Sequence, residues 1–123
     1  VALIRERVEM HEGPLRVSVE AHLDGAALGV DLQLAVLRII QEAVANVRRH
    51  AQASRCEVSI GREGSELVIT VTDDGIGPPA TLTPGIGLTS VEQRAGEFGG
   101  TIELAPGPVG SRLRVTLKED APT

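Results

Sequence analysis

The segment Asp31 to His50 constrains the fold most, because it is the longest helical pattern in this chain. Its apolar residues recur every three or four positions, which places them on one face of a helix. That stripe consists of Leu32, Val36, Leu37, Ile40, Ala43, Val44 and Val47. The pattern predicts an amphipathic helix packed on a core, with Asp31 as its N-cap.

The opposite face of this helix carries a polar row. Glu42, Asn46 and His50 follow at intervals of four, so a carboxylate, an amide and an imidazole lie one turn apart, with Arg49 beside the last. These groups can bind metals and phosphates. A solvated helix face explains such a row more simply, so a ligand site needs support from the rest of the chain.

The composition argues against nucleic-acid binding. The 123 residues, 41% of them apolar, suit one domain with a single core. Phe98 is the only aromatic residue, so bases have no aromatic side chains to stack on. The net charge of −5 also argues against duplex binding, because that requires a surface rich in lysine and arginine.

The composition also indicates the redox compartment of the protein and its relation to membranes. Cys56 is the only cysteine, which excludes an internal disulfide and suits a reducing compartment; we predict it to be a buried strand residue. No apolar run approaches the roughly 20 residues that a membrane span needs, and no signal-peptide core is present at the start. We therefore expect a soluble module without membrane contact.

The remaining segments predict strands and a second helix. Val1 to Met10 has the pattern of a short amphipathic helix, broken by the segment His11 to Pro14. The second helix is predicted over Leu88 to Glu97 and ends at Gly99 and Gly100. The predicted strands are Leu15 to His22, Arg55 to Gly61, Glu66 to Thr72, Thr101 to Leu104 and Arg112 to Leu117. This order predicts a two-layer α+β sandwich whose helices cover one face of the sheet.

Two glycine-containing segments carry candidate chemistry. Asp73-Asp74-Gly75-Ile76-Gly77 places a carboxylate at a strand end, where it can accept an amine such as that of adenine, and its glycines allow close backbone approach. Gly85-Ile86-Gly87-Leu88 opens the second helix, whose free N–H groups can bind phosphate. Each segment alone is also explained as a simple turn. Neither a complete dinucleotide-binding fingerprint nor a P-loop is present.

Four segments in order resemble the nucleotide-binding boxes of the GHKL ATPase superfamily. They are EAVANVRRHA, DDGIG, GIGLTSVEQRA and GSRLRVTL. The chain looks most like the ATP-binding catalytic domain of bacterial sensor histidine kinases, in the branch paired with LuxR/NarL-type response regulators. That branch typically has N-x-x-[KR]-H-A, here NVRRHA. The resemblance covers about residues 15–118 and implies the GHKL fold, with a mixed, mainly antiparallel sheet.

The resemblance implies ATP and Mg²⁺ as ligands and gives the polar row specific roles. Asn46 would ligate Mg²⁺ directly, while Glu42 would hold a metal-bound water or polarise the attacking group; magnesium prefers such oxygen ligands. Arg49 and His50 would face the phosphates, although a structural hydrogen bond explains His50 equally well. Arg94 matches a basic position, and a solvated salt bridge explains it equally well.

The resemblance also implies the nucleotide pocket. Asp73 would accept the adenine amine, and Asp74 occupies a variable position without a specific role. The glycines of both boxes would shape the pocket and close over the phosphates. These backbone positions are Gly75, Gly77, Gly85, Gly87 and Leu88. Gly110 and Ser111 match the Gly-Thr of the last box, with the hydroxyl retained.

Two departures from the family matter. The segment Pro78 to Pro84 is too short for a long ATP lid, which implies an open pocket of modest affinity. None of the histidines lies in a segment that resembles a phosphoacceptor helix. We therefore expect residues 1–14 to lead from an upstream dimerisation and phosphoacceptor domain. Residues 15–118 would form the catalytic domain, and residues 119–123 would form a tail. The full protein is then expected to be a homodimeric sensor with this domain in the cytoplasm.

Three alternatives remain open at this point. An anti-sigma factor serine kinase uses the same fold, but the N-x-x-[KR]-H-A extension argues against it. A gyrase-like or mismatch-repair ATPase needs a larger chain and a long lid. A degenerate module that only docks partners is disfavoured because Glu42, Asn46, Asp73 and both glycine boxes are intact.

Overall fold

A computed structural model describes residues 3–24, 28–50, 52–77 and 88–119, of which the side chains of residues 3–12, 24 and 50 are outside the description. Within these ranges the chain forms six strands and two helices. The strands are β1 (Leu3–Glu12), β2 (Leu15–Asp24), β3 (Arg55–Glu63), β4 (Glu66–Asp73), β5 (Thr101–Pro106) and β6 (Ser111–Lys118). The helices are α1 (Val30–His50) and α2 (Leu88–Glu97). Neither helix in the described ranges has both the length and the apolar composition of a membrane span.

The strands form one sheet in the order β1-β2-β3-β4-β6-β5. Only β2 and β3 pair in parallel, and the other neighbours are antiparallel. A parallel pair needs a crossover connection, which α1 provides between β2 and β3. The predicted two-layer α+β sandwich with a mixed, mainly antiparallel sheet is therefore confirmed.

The core lies between one face of the sheet and the two helices. Alternate residues of the central strands are buried there, as in Cys56, Val58 and Ile60 of β3, because successive strand residues point to opposite faces. In α2, Leu88, Val91 and Ala95 are buried as the helical spacing predicts. The prediction that Cys56 is a buried strand residue is also confirmed.

The helix predicted over Val1 to Met10 is wrong, because residues 3–12, His11 included, form strand β1. Ile4 and Val8 lie four residues apart, as in a helix, but Val8 and Met10 lie two apart, as in a strand, so spacing alone is ambiguous. A tight turn at Gly13, whose φ is +62°, pairs β1 with β2 along its length. The division of the chain at residue 15 stays a prediction.

Two details of α1 also differ from expectation. Leu37 is 52% exposed, and Ile39 is fully buried instead, because the face toward the sheet is rotated slightly from the predicted stripe. The carbonyl of Gly29 accepts the first helical hydrogen bond, from the Gln33 N–H at 2.9 Å. Gly29 is therefore the N-cap, and Asp31 lies within the first turn, where its charge still favours the helix N-terminus.

The end of β4 is tied to the start of β3 through Asp74. Its Oδ1 accepts the backbone N–H groups of Ser54 and Arg55, each at 2.9 Å, and its Oδ2 accepts the Ser54 hydroxyl at 2.8 Å. The Arg55 N–H and the Ser54 hydroxyl hold the pKa of Asp74 below its usual 3.8, because they bind the ionised form. Asp74, which was given no role from the sequence, thus anchors the turn that follows β4.

The end of α2 requires a glycine at position 100. The N–H of Gly100 donates to the Ala95 carbonyl at 2.8 Å and the N–H of Gly99 to the Gly96 carbonyl at 3.0 Å, which together form a Schellman motif. A Cβ on Gly100 would overlap the Thr116 carbonyl oxygen and lie 2.7 Å from its carbon. The helix end is therefore in direct backbone contact with β6.

We predict that Gly100→Ala lowers the free energy of unfolding by about 3 kcal/mol, because the methyl group must displace backbone atoms of β6. Gly96→Ala is the matched control, since a Cβ there has no atom within 4 Å and alanine favours the helix by roughly 0.5–1 kcal/mol. Urea unfolding measures both. Equal stability of the two variants would contradict the backbone contact.

We predict that Asp74→Asn costs about 1 kcal/mol at pH 7, a modest value because the carboxylate is partly open to solvent. Since the folded pKa is lowered, this stabilisation is complete well above the usual 3.8 and is lost as the pH falls below it toward the folded pKa. Urea unfolding of both proteins between pH 7 and pH 3 should show the difference shrinking with acid. A difference that is constant over this range would refute the assignment.

Candidate functional site

A buried carboxylate marks the centre of the site. Asp73, at the end of β4, is 5% exposed and is the only polar residue in the buried class among the described residues. Its Oδ1 accepts the Gly75 N–H at 2.8 Å, and its Oδ2 accepts the Ser111 hydroxyl at 2.6 Å. Each oxygen of an ionised carboxylate can accept a second hydrogen bond, so Asp73 retains capacity for a donor from a ligand.

Glycines make room for this arrangement. A Cβ on Gly110 would lie 2.5 Å from Oδ1 of Asp73 and 2.6 Å from the Gly75 nitrogen, so only glycine fits between β6 and the turn after β4. Gly77 has a φ of +90°, which L side chains rarely adopt. The structure thus brings together four of the residues singled out from the sequence, Asp73, Gly75, Gly110 and Ser111.

Cys56 lies on the neighbouring strand, directly opposite Asp73 in the β3–β4 register. Burial, together with the nearby Asp73 carboxylate, raises the pKa of the Cys56 thiol to about 12. The thiol is therefore protonated at neutral pH and acts as a small apolar residue under the site.

The polar row of α1 forms a second part of the site. Glu42 and Asn46 are half-buried, and α1 packs against both β4 and α2. Oε2 of Glu42 and Oδ1 of Asn46 are buried, and neither has a hydrogen-bond partner in the part of the chain that the structure describes. Leaving a buried acceptor unpaired costs roughly 1–3 kcal/mol, so the two oxygens favour a ligand that is absent from the protein alone.

The chemistry of these two oxygens fits magnesium. A carboxylate and an amide oxygen one helical turn apart suit a hard cation, which completes its shell with water and phosphate oxygens. No group of three or more His, Cys, Asp and Glu residues that could hold a metal occurs among the described residues.

Arg94 connects this row to α2. Its Nε donates to Oε1 of Glu42 at 3.3 Å, and both side chains are 31% exposed. The sequence left two explanations for Arg94, and the structure shows it in a partly exposed ion pair with Glu42.

The remaining candidates are placed less completely. Arg49 is exposed in the last turn of α1, and Leu88 is buried as the first residue of α2. The side chain of His50, and the residues Gly85 and Gly87, lie outside the described part of the chain. Sequence reasoning missed Ser54, the hydrogen-bond partner of Asp74, because a serine in a loop carries no signal of its partner.

Comparisons with known proteins identify the family of this chain. Residues 31–121 match the family described as histidine kinase-, DNA gyrase B- and HSP90-like ATPase. The sensor histidine kinase YxjM of Bacillus subtilis is 34% identical over 95% of this chain. The histidine-protein kinase/phosphatase UhpB of Salmonella typhimurium is 29% identical over 96% of it. The chain spans only 30% and 23% of the lengths of these two relatives.

Solved structures show the same architecture. The ATP-binding domain of PrrB from Mycobacterium tuberculosis matches with a TM-score of 0.67 at 27% identity, covering 91% of this chain and 84% of that domain. A blue-light activated histidine kinase of Erythrobacter litoralis shares the fold, with a TM-score of 0.66 at 22% identity over 87% of this chain and 36% of that one.

The family match covers most of the chain, and the fold agrees with it. The chain therefore belongs to the histidine kinase-, DNA gyrase B- and HSP90-like ATPases, as an ATP-binding catalytic domain of the kind found in sensor histidine kinases.

Proposed function

We propose that this domain binds Mg²⁺-ATP and donates the γ-phosphoryl group to a histidine on a separate dimerisation domain, for relay to a response regulator. The buried Asp73 carboxylate, held by Gly75 and Ser111, is the observation that carries this proposal. A carboxylate at the end of a strand, open to one more donor, suits the exocyclic amine of adenine. Guanine presents an oxygen at that position and would be rejected.

The polar row of α1 supports a phosphate site at the other end of the nucleotide. Asn46 would ligate the cation through Oδ1, and Glu42 would hold a water of the cation or polarise the attacking imidazole through Oε2. Bound magnesium would offset the negative charge that develops on the phosphoryl oxygens. Arg49 and His50 follow on the last turn of α1 and would add positive charge or hydrogen bonds toward the phosphates.

The segment before α2 would close over the phosphates. The N–H groups at the start of a helix bind anions, so Gly85, Gly87 and Leu88 would contribute backbone donors there. The buried side chain of Leu88 would keep the start of α2 fixed on the core while its backbone faces the ligand. The seven-residue spacing between the glycine boxes favours an open pocket.

The acceptor histidine would come from helices upstream of this domain, which would also form a homodimer. The relatives YxjM and UhpB, each more than three times the length covered here, are themselves histidine kinases and support this arrangement. A LuxR/NarL-type response regulator would then receive the phosphoryl group. Docking of the acceptor helix onto the domain would limit the rate, since the chain itself supplies only positioning and charge.

We predict saturable binding of a non-hydrolysable ATP analogue to this domain, measured by calorimetry with and without Mg²⁺. Asp73→Asn should weaken binding at least about 10-fold, because a hydrogen bond to a charged group is lost. Asp31→Asn, at an exposed position in the first turn of α1, is the matched control and should bind like the wild type. No binding at millimolar nucleotide would refute the nucleotide site.

We predict that the full protein containing this domain forms an acid-labile, base-stable phosphohistidine from labelled ATP. Asn46→Ala and Glu42→Gln should each lower the rate by roughly 100-fold or more, because each removes an oxygen placed for the cation or the attacking group. The control is the Leu37→Ala variant, whose substitution is at an exposed position on the same helix and which should form phosphohistidine at the wild-type rate. An acid-stable phosphoserine on a partner would instead support an anti-sigma factor kinase.

A further inference from the structure

We propose that Arg94 is a positioning residue for Glu42, which orients that carboxylate so that its second oxygen is available to the magnesium shell. The inference rests on the proposed function, because it assigns Arg94 a part in Mg²⁺-dependent nucleotide binding. Arg94 does not contact the nucleotide in this proposal and acts only through Glu42.

The ion pair divides the carboxylate of Glu42 into two unlike oxygens. Oε1 accepts the Arg94 Nε–H at 3.3 Å, whereas Oε2 is buried and has no partner among the described residues. A carboxylate is planar, so holding one oxygen also fixes the other. Without Arg94, the glutamate would be free to rotate toward solvent, where both oxygens could be hydrated.

Both ends of the pair are on rigid elements. Arg94 lies on α2 between Val91 and Ala95, which are fully buried, and Glu42 lies on α1 next to the buried Ala43. Side chains on packed helices hold their geometry better than those on loops. The ion pair therefore links the polar row of α1, which would bind the metal, directly to α2.

A contribution to stability alone does not explain the pair. Ion pairs with substantial solvent exposure contribute only about 0–1 kcal/mol, and both side chains here are 31% exposed. The arrangement also leaves Oε2 of Glu42 and Oδ1 of Asn46 unpaired and buried, which costs stability. A partner that orients a ligand residue from behind is a common feature of metal sites.

The test measures how strongly Mg²⁺ enhances binding of an ATP analogue, as the ratio of Kd in EDTA to Kd in Mg²⁺. Arg94→Met should reduce this enhancement roughly 10-fold, the loss typical of a residue that orients a metal ligand, and leave Kd in EDTA within about 2-fold. Arg94→Lys should restore part of it, since lysine keeps the charge without the planar fork. Gln93→Met, the exposed neighbour on α2, is the control.

A second measurement separates positioning from structure. In the Glu42→Gln background, Arg94→Met should cause no further loss of enhancement, because its effect passes through the Glu42 carboxylate. If Arg94→Met lowered Tm and weakened nucleotide binding equally in EDTA and in Mg²⁺, the result would indicate a structural role and overturn the proposal. Weakening in EDTA without a change in Tm would indicate direct phosphate contact and overturn it as well.

The same data separate this inference from the proposed function. Wild-type binding that Mg²⁺ does not enhance would refute the metal site and this inference together. Normal enhancement in the wild type, with Arg94→Met indistinguishable from it, would refute this inference alone and leave the Mg²⁺-ATP site intact.

Discussion

The hydrogen bonds of the Asp73 carboxylate are the interaction on which the site depends. A charge buried to this extent is costly unless donors compensate it, and Gly75 and Ser111 supply them. The Gly75 N–H belongs to the turn that follows Asp73, whereas the Ser111 hydroxyl reaches Asp73 because β4 pairs directly with β6 and Gly110 adds no side chain between them. Asp74 then ties the same turn to the start of β3. The end of β4, the turn after it, β6 and the start of β3 therefore meet near the Asp73 carboxylate.

The helices add a second cluster of polar side chains to the same scaffold. The buried faces of α1 and α2 pack on the sheet, which leaves Glu42 and Asn46 half-buried at the helix pair and Arg94 beside them. Two polar clusters result, one at the end of β4 and one on α1. The Asp73 carboxylate can accept a hydrogen bond from a ligand, and the oxygens of Glu42 and Asn46 suit a cation, which is the chemistry on which the proposed function rests.

Much of the fold followed from local patterns. Alternating apolar residues predicted β2, apolar segments bounded by turns predicted β3, β4, β5 and β6, and the spacing of Leu88, Val91 and Ala95 placed α2 at its observed limits. The candidate site residues came from four motifs in order, and Asp73, Gly75 and Ser111 do lie together. The roles assigned to these residues stay predictions. Periodicity failed for β1, because a short segment with apolar residues two and four apart satisfies both kinds of structure.

The sequence by itself determined the two layers, the buried strand faces and the residues that carry chemistry, because periodicity and side-chain type are local properties. Only the tertiary structure decided the strand order, the pairing of β1 and the partners of individual polar atoms. Asp74 and Arg94 illustrate the reason. Asp74 binds Ser54, 20 residues away, and Arg94 binds Glu42, 52 residues away. Contacts at such separations depend on how the whole chain packs, and no local pattern encodes them.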